Sequence, residues 1–238
     1  MTNFMLYLES LNKSLHNILR KNQDVILIGE DLLDPYGGAF KVSKGLSTNF
    51  PRQVISTPIS EAGIVGAATG MAMRGLKPIV ELMFGDFIAL AADQIINHAS
   101  KYNGIYNGQV TVPLVIRTPV GGRRGYGPTH SQSLESIFMS VPGLEIIAPS
   151  LCHKPGEILE ILVNHINKPT IFVEYKIDYA KKLFDNKIGG FFIERENIGD
   201  YNQNITLSLY PNEQPDVLVI TYGGNVSIAI EAAEKVFM

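Results

Sequence analysis

Apolar positions recur along the chain at two different spacings. Near the amino terminus Leu8, Leu11, Leu15, Ile18 and Leu19 return at helical intervals between Glu9, Asn12, Lys13 and His16, the stripe of a helix that buries one face. Residues 24–30 (DVILIGE) then form an unbroken run of branched residues closed by glycine and acids, which predicts a buried strand. The same signature returns at Val54-Ile55, 78–83 (PIVELM), 112–117 (VPLVIR), 144–148 (LEIIA) and 170–174 (TIFVE), with helical patterns at about 61–75, 87–101, 132–140 and 155–166. Continuous apolar strands alternating with helices belong to a parallel sheet covered on both faces. The expected fold over residues 1–175 is therefore α/β, a doubly wound, mostly parallel sheet.

That rhythm breaks at residue 176. Residues 176–212 carry polar, Asn-rich stretches (DNKIGG, ENIGDYNQN) and close on Tyr210-Pro211-Asn212, so a connecting segment is expected there. Residues 216–222 (DVLVITY), Gly223-Gly224 and an apolar-periodic run to Met238 read as the first strand and helix of a second α/β domain over 213–238. One strand and one helix cannot close a core of their own.

Composition narrows the class. A chain of 238 residues has room for one large domain and part of another. With 45% hydrophobic and 18% charged residues it can build a core and is not a disordered chain. A net charge of -3 offers no basic field for nucleic acid or an anionic membrane, and no apolar run approaches the roughly 20 residues of a membrane span. Cys152 is the only cysteine, which rules out an internal disulfide and fits a reduced, cytoplasmic setting, or a mitochondrial or plastid matrix in a eukaryote. Without a Gly-x-Ser-x-Gly elbow or a Cys/His cluster at ligand spacing, hydrolase and zinc-enzyme readings are poor.

Three segments carry candidate chemistry. In the run from Thr57 to Ala68, Glu61 stands at a helix entry before a series of small residues. Either Ser60 caps the helix and Glu61 merely complements its dipole, or the acid faces a ligand that Gly63, Gly66, Ala67, Ala68 and Gly70 allow to approach. From Glu81 to Phe87 the chain leaves a strand, which places Phe84 and Phe87 near the carboxyl edge where ligands of open α/β sheets bind. There an aromatic ring either stacks on a planar group or belongs to the core. Asp93, a little further on, is a buried acid or a solvated one. The glycine-rich stretch from Gly121 to Ser133 holds Arg123, Arg124 and His130 at spacings that match no dinucleotide or P-loop fingerprint. His130 beside this loop is a candidate proton donor or anion contact. The other histidines lie in helical patterns as surface or satisfied residues.

At these places the sequence resembles the beta subunit of the thiamine-diphosphate-dependent 2-oxo acid dehydrogenases that act on pyruvate, branched-chain 2-oxo acids and acetoin. The resemblance runs through 25–31 (VILIGED), 36–42 (YGGAFKV), 57–63 (TPISEAG), 93–98 (DQIINH), His130-Ser131-Gln132 and Pro142-Gly143-Leu144. It implies the thiamine-diphosphate-binding fold, here its pyrimidine domain. It also implies that Glu61 hydrogen-bonds the cofactor's aminopyrimidine and promotes loss of the thiazolium proton. Desolvation under the cofactor would keep that proton exchangeable near neutral pH, against the pull of the helix terminus. Phe87 would pack on the pyrimidine and Ile59 and Glu30 would line the cofactor, with Asp93 a further acid near the same edge. His130 would orient the 2-oxo acid carboxylate or donate a proton. After decarboxylation the acyl unit would pass to a lipoyl group on a separate acyltransferase.

Thiamine enzymes hold magnesium and diphosphate with a Gly-Asp-Gly segment and a downstream Asn that this sequence lacks. The resemblance accordingly implies a cofactor shared with an alpha subunit that holds the magnesium, in an α2β2 heterotetramer, and assigns no metal ligand to this chain. A structural potassium ion is a further expectation, its site falling near residues 150–168, where the chain carries a small insertion. Two other readings share the fold. Half of a split transketolase-like or deoxyxylulose phosphate synthase-like enzyme would use Arg123 and Arg124 on a sugar phosphate, whereas His130-Ser131-Gln132 favours the dehydrogenases. A non-catalytic assembly subunit would have no need of Glu61, Phe87 and His130 together.

Overall fold

Six strands form one wholly parallel sheet in the computed structural model, which describes residues 5–198 and 202–237. They are β1 (Val25–Glu30), β2 (Val54–Thr57), β3 (Lys77–Glu81), β4 (Val115–Val120), β5 (Glu145–Ile147) and β6 (Thr170–Tyr175), in the order β2-β1-β3-β4-β6-β5. The chain passes from β1 to β2 on one side and returns to β3 on the other. That reversal opens a crevice at the carboxyl ends of β1 and β3, the place where open α/β sheets bind ligands.

The apolar runs follow from burial on two faces. Leu27, Ile79, Val115 and Phe172 point into one core with Leu11, Leu15, Leu159 and Leu162 of the paired helices α1 (Tyr7–Lys21) and α5 (Pro155–His165). Their neighbours Ile28, Val80, Ile116, Ile171 and Val173 point into the other, against Ile64, Val65 and Ala68 of α3 (Glu61–Met73). Since successive side chains alternate between faces, a strand covered on both must be apolar throughout. The α1–α5 pair is drawn close at Gly156, where a Cβ would collide with the Ser10 carbonyl oxygen and whose N–H donates to Ser10 Oγ at 3.2 Å. Short helices α2 (Leu46–Asn49) and α4 (Tyr102–Ile105) complete this body. No helix among the described residues is long and apolar enough to cross a membrane.

Elsewhere the structure departs from the expected elements. The stretch 87–101 is not one α-helix: residues Gly85–Ala91 wind as a 3-10 helix and Gln94–Ala99 as a π-helix. Ile88, Ala91, Ile95 and Ala99 still line one core face, so the apolar stripe was a sound guide to burial but not to the hydrogen-bond ladder. Of residues 132–140 only Glu135–Phe138 coil, as a 3-10 turn. Phe138 is buried there while Ile137 and Met139 face outward, too little to drive a longer helix.

The expected connecting segment contains a second, antiparallel sheet of β7 (Lys187–Ile188), β8 (Phe191–Ile198) and β9 (Asn202–Ser208). Phe191 and Ile193 are buried and alternate with exposed Phe192 and Glu194, the period of a one-sided strand. They pack with Cys152 and with Ile230 of α6 (Asn225–Phe237). Gly199, Asp200 and Tyr201, within the same expected segment, lie outside the described residues, as do Met1–Phe4 and Met238. At 216–222 the expected strand does not form: Val217, Leu218, Val219 and Ile220 are 60–88% exposed and pair with no described strand. Without a neighbour to take its N–H and C=O groups, an apolar run cannot hold as a strand.

Candidate active site at the carboxyl edge of the sheet

Two acids meet where β1 and β2 end. Glu30 closes β1 and is 3% exposed; Glu61 opens α3 and is 5% exposed. Ser60 occupies the cap position of α3, but its side chain makes no capping bond; its backbone N–H instead donates to Glu30 Oε1 at 3.3 Å. The helix-cap reading of Ser60 therefore fails. The Glu61 carboxylate makes no hydrogen bond among the described residues. Glu30 is pushed above the ordinary carboxyl range first by burial and then by the charge of Glu61, with the Ser60 N–H pulling back. A concavity of about 180 Å³ opens beside them, lined by Ile28, Thr57, Pro58, Ser60, Gly63, Ile64 and Ala67. It shares Ser60 with the acids and is apolar, so it lies next to the charged centre.

Aromatic rings and an imidazole gather beyond the ends of β3 and β4. His130 sits in the 3-10 turn Pro128–His130, edge-on to Phe84 at 4.6 Å and to Phe87 at 5.1 Å between ring centroids. Phe40 and Tyr126 extend the cluster around Phe84, at 5.3 and 5.5 Å. The His130 turn is clasped from below. Gln132 donates from Nε2 to Asp86 Oδ1 at 2.7 Å and from its backbone N–H to both Asp86 oxygens, while the Gly121 N–H donates to the Gln132 carbonyl at 3.1 Å. Arg124 lies over the Phe40 ring at 5.6 Å and donates to the Lys176 carbonyl at 2.8 Å.

Beneath this edge runs a buried ionic floor. Arg117 on β4 holds Glu174 of β6 in a fork, Nε to Oε1 at 2.7 Å and Nη2 to Oε2 at 2.9 Å, and reaches Glu81 of β3 through Nη1 at 2.8 Å. Tyr179 adds an O–H donor to Glu174 at 2.7 Å, and Ser43 adds one to Glu81. The two carboxylates hold Arg117 firmly charged despite complete burial.

Of the residues singled out from sequence, Glu30, Glu61, Phe87 and His130 all come to the carboxyl edge, and α3 packs against the segment that carries Phe87. Ile59 stands 80% exposed in the turn before α3. Asp93 is not part of the group: its side chain is 65% exposed, bonds Asn97 at 2.8 Å and pairs with His98 at 3.3 Å. Sequence reasoning missed Asp86, the Arg117 floor and Lys176. Only the acids and cations within otherwise apolar strands (Glu81, Arg117, Glu174) could have signalled a buried network. Among the described residues no group of three or more His, Cys, Asp or Glu is placed to hold a metal ion.

A family model described as the transketolase pyrimidine-binding domain matches residues 5–182. Among curated proteins the chain is 34% identical to the acetoin:2,6-dichlorophenolindophenol oxidoreductase beta subunit of Bacillus subtilis, over 95% of this chain and 66% of that protein. It is 35% identical to the mitochondrial pyruvate dehydrogenase E1 beta subunit of Saccharomyces cerevisiae, over 98% and 61%. With the 2-oxoisovalerate dehydrogenase beta subunit of B. subtilis it shares 34% identity, over 97% and 67%. The chain thus spans about two thirds of the length of these relatives. Among solved structures, a split-gene transketolase described as an inactive beta4 tetramer aligns with a TM-score of 0.54 at 20% identity, over 69% of this chain and 49% of that one, a likeness of fold.

Proposed function

The chain belongs to the transketolase pyrimidine-binding domain family, and from that premise we propose that it is the beta subunit of a thiamine-diphosphate-dependent 2-oxo acid dehydrogenase. The observation that carries this reading is Glu61, a buried carboxylate at the first turn of α3 with no hydrogen-bond partner of its own among the described residues. Its oxygens are not among the fully buried atoms that lack a partner, so the carboxylate still reaches the open edge of the sheet, where a nitrogen base presented by a ligand would pair with it. The half-buried Phe87 ring and the apolar flank of α3 fit a flat heteroaromatic ring beside that acid. When bound, thiamine diphosphate supplies the carbon nucleophile and electron sink for decarboxylation.

This chain's own residues do the positioning. Glu61 holds and exchanges a proton with the pyrimidine ring nitrogen, Phe87 packs on the ring, and Ile59 and Glu30 flank it. Burial and then the charge of Glu61 raise the Glu30 carboxyl above its ordinary range, which lets Glu30 hold a proton beside Glu61. His130, held edge-on by two phenylalanines, orients the carboxylate of the 2-oxo acid or donates a proton at its carbonyl oxygen. Diphosphate and magnesium are assigned to an alpha subunit across an α2β2 interface, and the acyl group to a lipoyl acyltransferase. A structural potassium ion belongs to the same reading, without residues assigned to it. Residues 1–175 serve as the pyrimidine domain, 176–212 link it onward, and 213–238 open the carboxy-terminal domain, a division supported by helix α6 and the apolar run before it.

The test is reconstitution of the chain with an alpha subunit carrying the diphosphate site, followed by decarboxylation assays on pyruvate, branched 2-oxo acids and a sugar phosphate donor. Glu61→Gln is expected to lower kcat by about 10²–10⁴-fold, the range of a positioned acid or base. An unchanged rate in that variant, or turnover of the sugar phosphate alone, overturns the reading.

A further inference from the structure

Lys176, just beyond β6, is 0% exposed, and its ammonium makes no hydrogen bond among the described residues. A charged amine in that position is costly unless neighbouring groups compensate. Three groups face it. The Phe84 ring lies 5.7 Å from Nζ, the Asp86 carboxylate favours the charged form, and the Arg124 guanidinium opposes it. Both favourable neighbours also support the proposed substrate-side histidine. Phe84 abuts His130 at 4.6 Å, and Asp86 accepts the bonds from Gln132 that anchor the His130 turn.

We propose that Lys176 is a positioning residue for His130: its ammonium steadies Phe84 and the Asp86–Gln132 clasp, and through them fixes where the imidazole meets the substrate. The proposal rests on the reading of His130 as the group that engages the 2-oxo acid. Residues 123–129 of the loop are exposed, and the turn itself is closed by a long bond, from the His130 N–H to the Gly127 carbonyl at 3.4 Å. The clasp on Asp86 is therefore its firmest tie. Asp86 is 8% exposed, and removing the nearby cation would leave its charge balanced only by Gln132 amides, a weaker arrangement.

The arrangement also senses pH. Burial pushes the Lys176 amine down to about 8, with Asp86 resisting and Arg124 assisting. As pH rises through that value the cation is lost, the clasp weakens and His130 loses its fixed position. Arginine at 176 would stay charged throughout this range.

The experiment compares wild type, Lys176→Met, Lys176→Arg and Asp86→Asn as full chains with the alpha subunit, across roughly pH 6–10, a span that brackets the amine's titration. Lys176→Met is expected to lower kcat/KM at neutral pH by about tenfold and to lose the alkaline fall near pH 8. Lys176→Arg should recover most of the rate and move that fall upward, and Asp86→Asn should resemble the methionine variant. In parallel, NMR follows the His130 ring, assigned with His130→Gln, in the full chain without turnover. A second inflection near pH 8 in wild type that is missing from Lys176→Met supports the coupling.

An unchanged alkaline limb in Lys176→Met, no recovery in Lys176→Arg, or a wild-type His130 that senses no titration near pH 8 overturns it. Should Lys176→Met fail to fold, the arginine and Asp86→Asn variants carry the test. A wild-type complex inert towards every 2-oxo acid would refute the functional reading instead, while the NMR arm would still decide this one.

Discussion

Arg117 and Glu61 are both buried charges at the same sheet edge, yet their surroundings lead to opposite expectations. Each of the three Arg117 guanidinium nitrogens donates to Glu81 or Glu174, so its role is satisfied within the fold. Glu61 has no such answer, which points outward, to a ligand. Arg117→Met would leave two buried carboxylates without their cation. It is expected to cost about 3–5 kcal/mol, the penalty for breaking a buried pair by removing one partner, read as a lowered urea midpoint. Loss of less than about 1 kcal/mol would mean that water reaches the floor and the carboxylates are not desolvated. At this scale the sequence offered a position and little more. Glu61 at a helix entry was readable, but that Ser60 fails to cap, and that Asp86 and Gln132 meet across 46 residues, depends on tertiary placement that no local spacing encodes.

The parallel strands were legible because burial on two faces leaves its mark on every residue of the strand, as at Ile26, Leu27 and Ile28 of β1. β8 and β9 were obscured because one face is wet: Glu194, Glu196 and Asn197 break the apolar run into a polar-looking stretch, although Phe191 and Ile193 keep the alternation. The helices at 85–99 were half legible, their stripe correct and their winding not. Strand spacing depends on small residues too. Gly29 of β1 lies against the backbone of Glu81 on β3, where a Cβ would collide with the carbonyl oxygen. Gly29→Ala is therefore expected to destabilise by about 1–3 kcal/mol through overpacking, measurable by thermal or urea unfolding. Because that same strand pair frames the crevice, the variant should also lose cofactor-dependent activity. A variant as stable as wild type would show that β1 and β3 can part without cost.

Across the whole molecule, the carboxyl edge of the sheet draws on residues scattered along the sequence, Glu30 and Glu61 where β1 and β2 end and Phe87 and His130 beyond β3 and β4. The fold class was legible from periodicity, and the family resemblance singled out four residues that lie at this edge. The second sheet was not legible. The other whole-molecule feature is the exposed apolar run Val217–Ile220. An exposed apolar run rich in β-branched residues is a site for association with other chains, so this chain alone in solution is expected to self-associate as its concentration rises. Ile220→Lys should reduce light scattering at equal concentration while leaving the circular dichroism unchanged; undiminished scattering would place the sticky surface elsewhere.

The Arg117 floor has a consequence for time as well as for energy. Backbone amides of β3, β4 and β6 tied into it should exchange with deuterium only through global opening, whereas those of the glycine-rich loop above, which carries His130, should exchange through small local excursions. The sheet edge thus has a slow floor beneath a quick wall. Changes between Gly121 and His130 can then reshape the quick wall without disturbing the slow base.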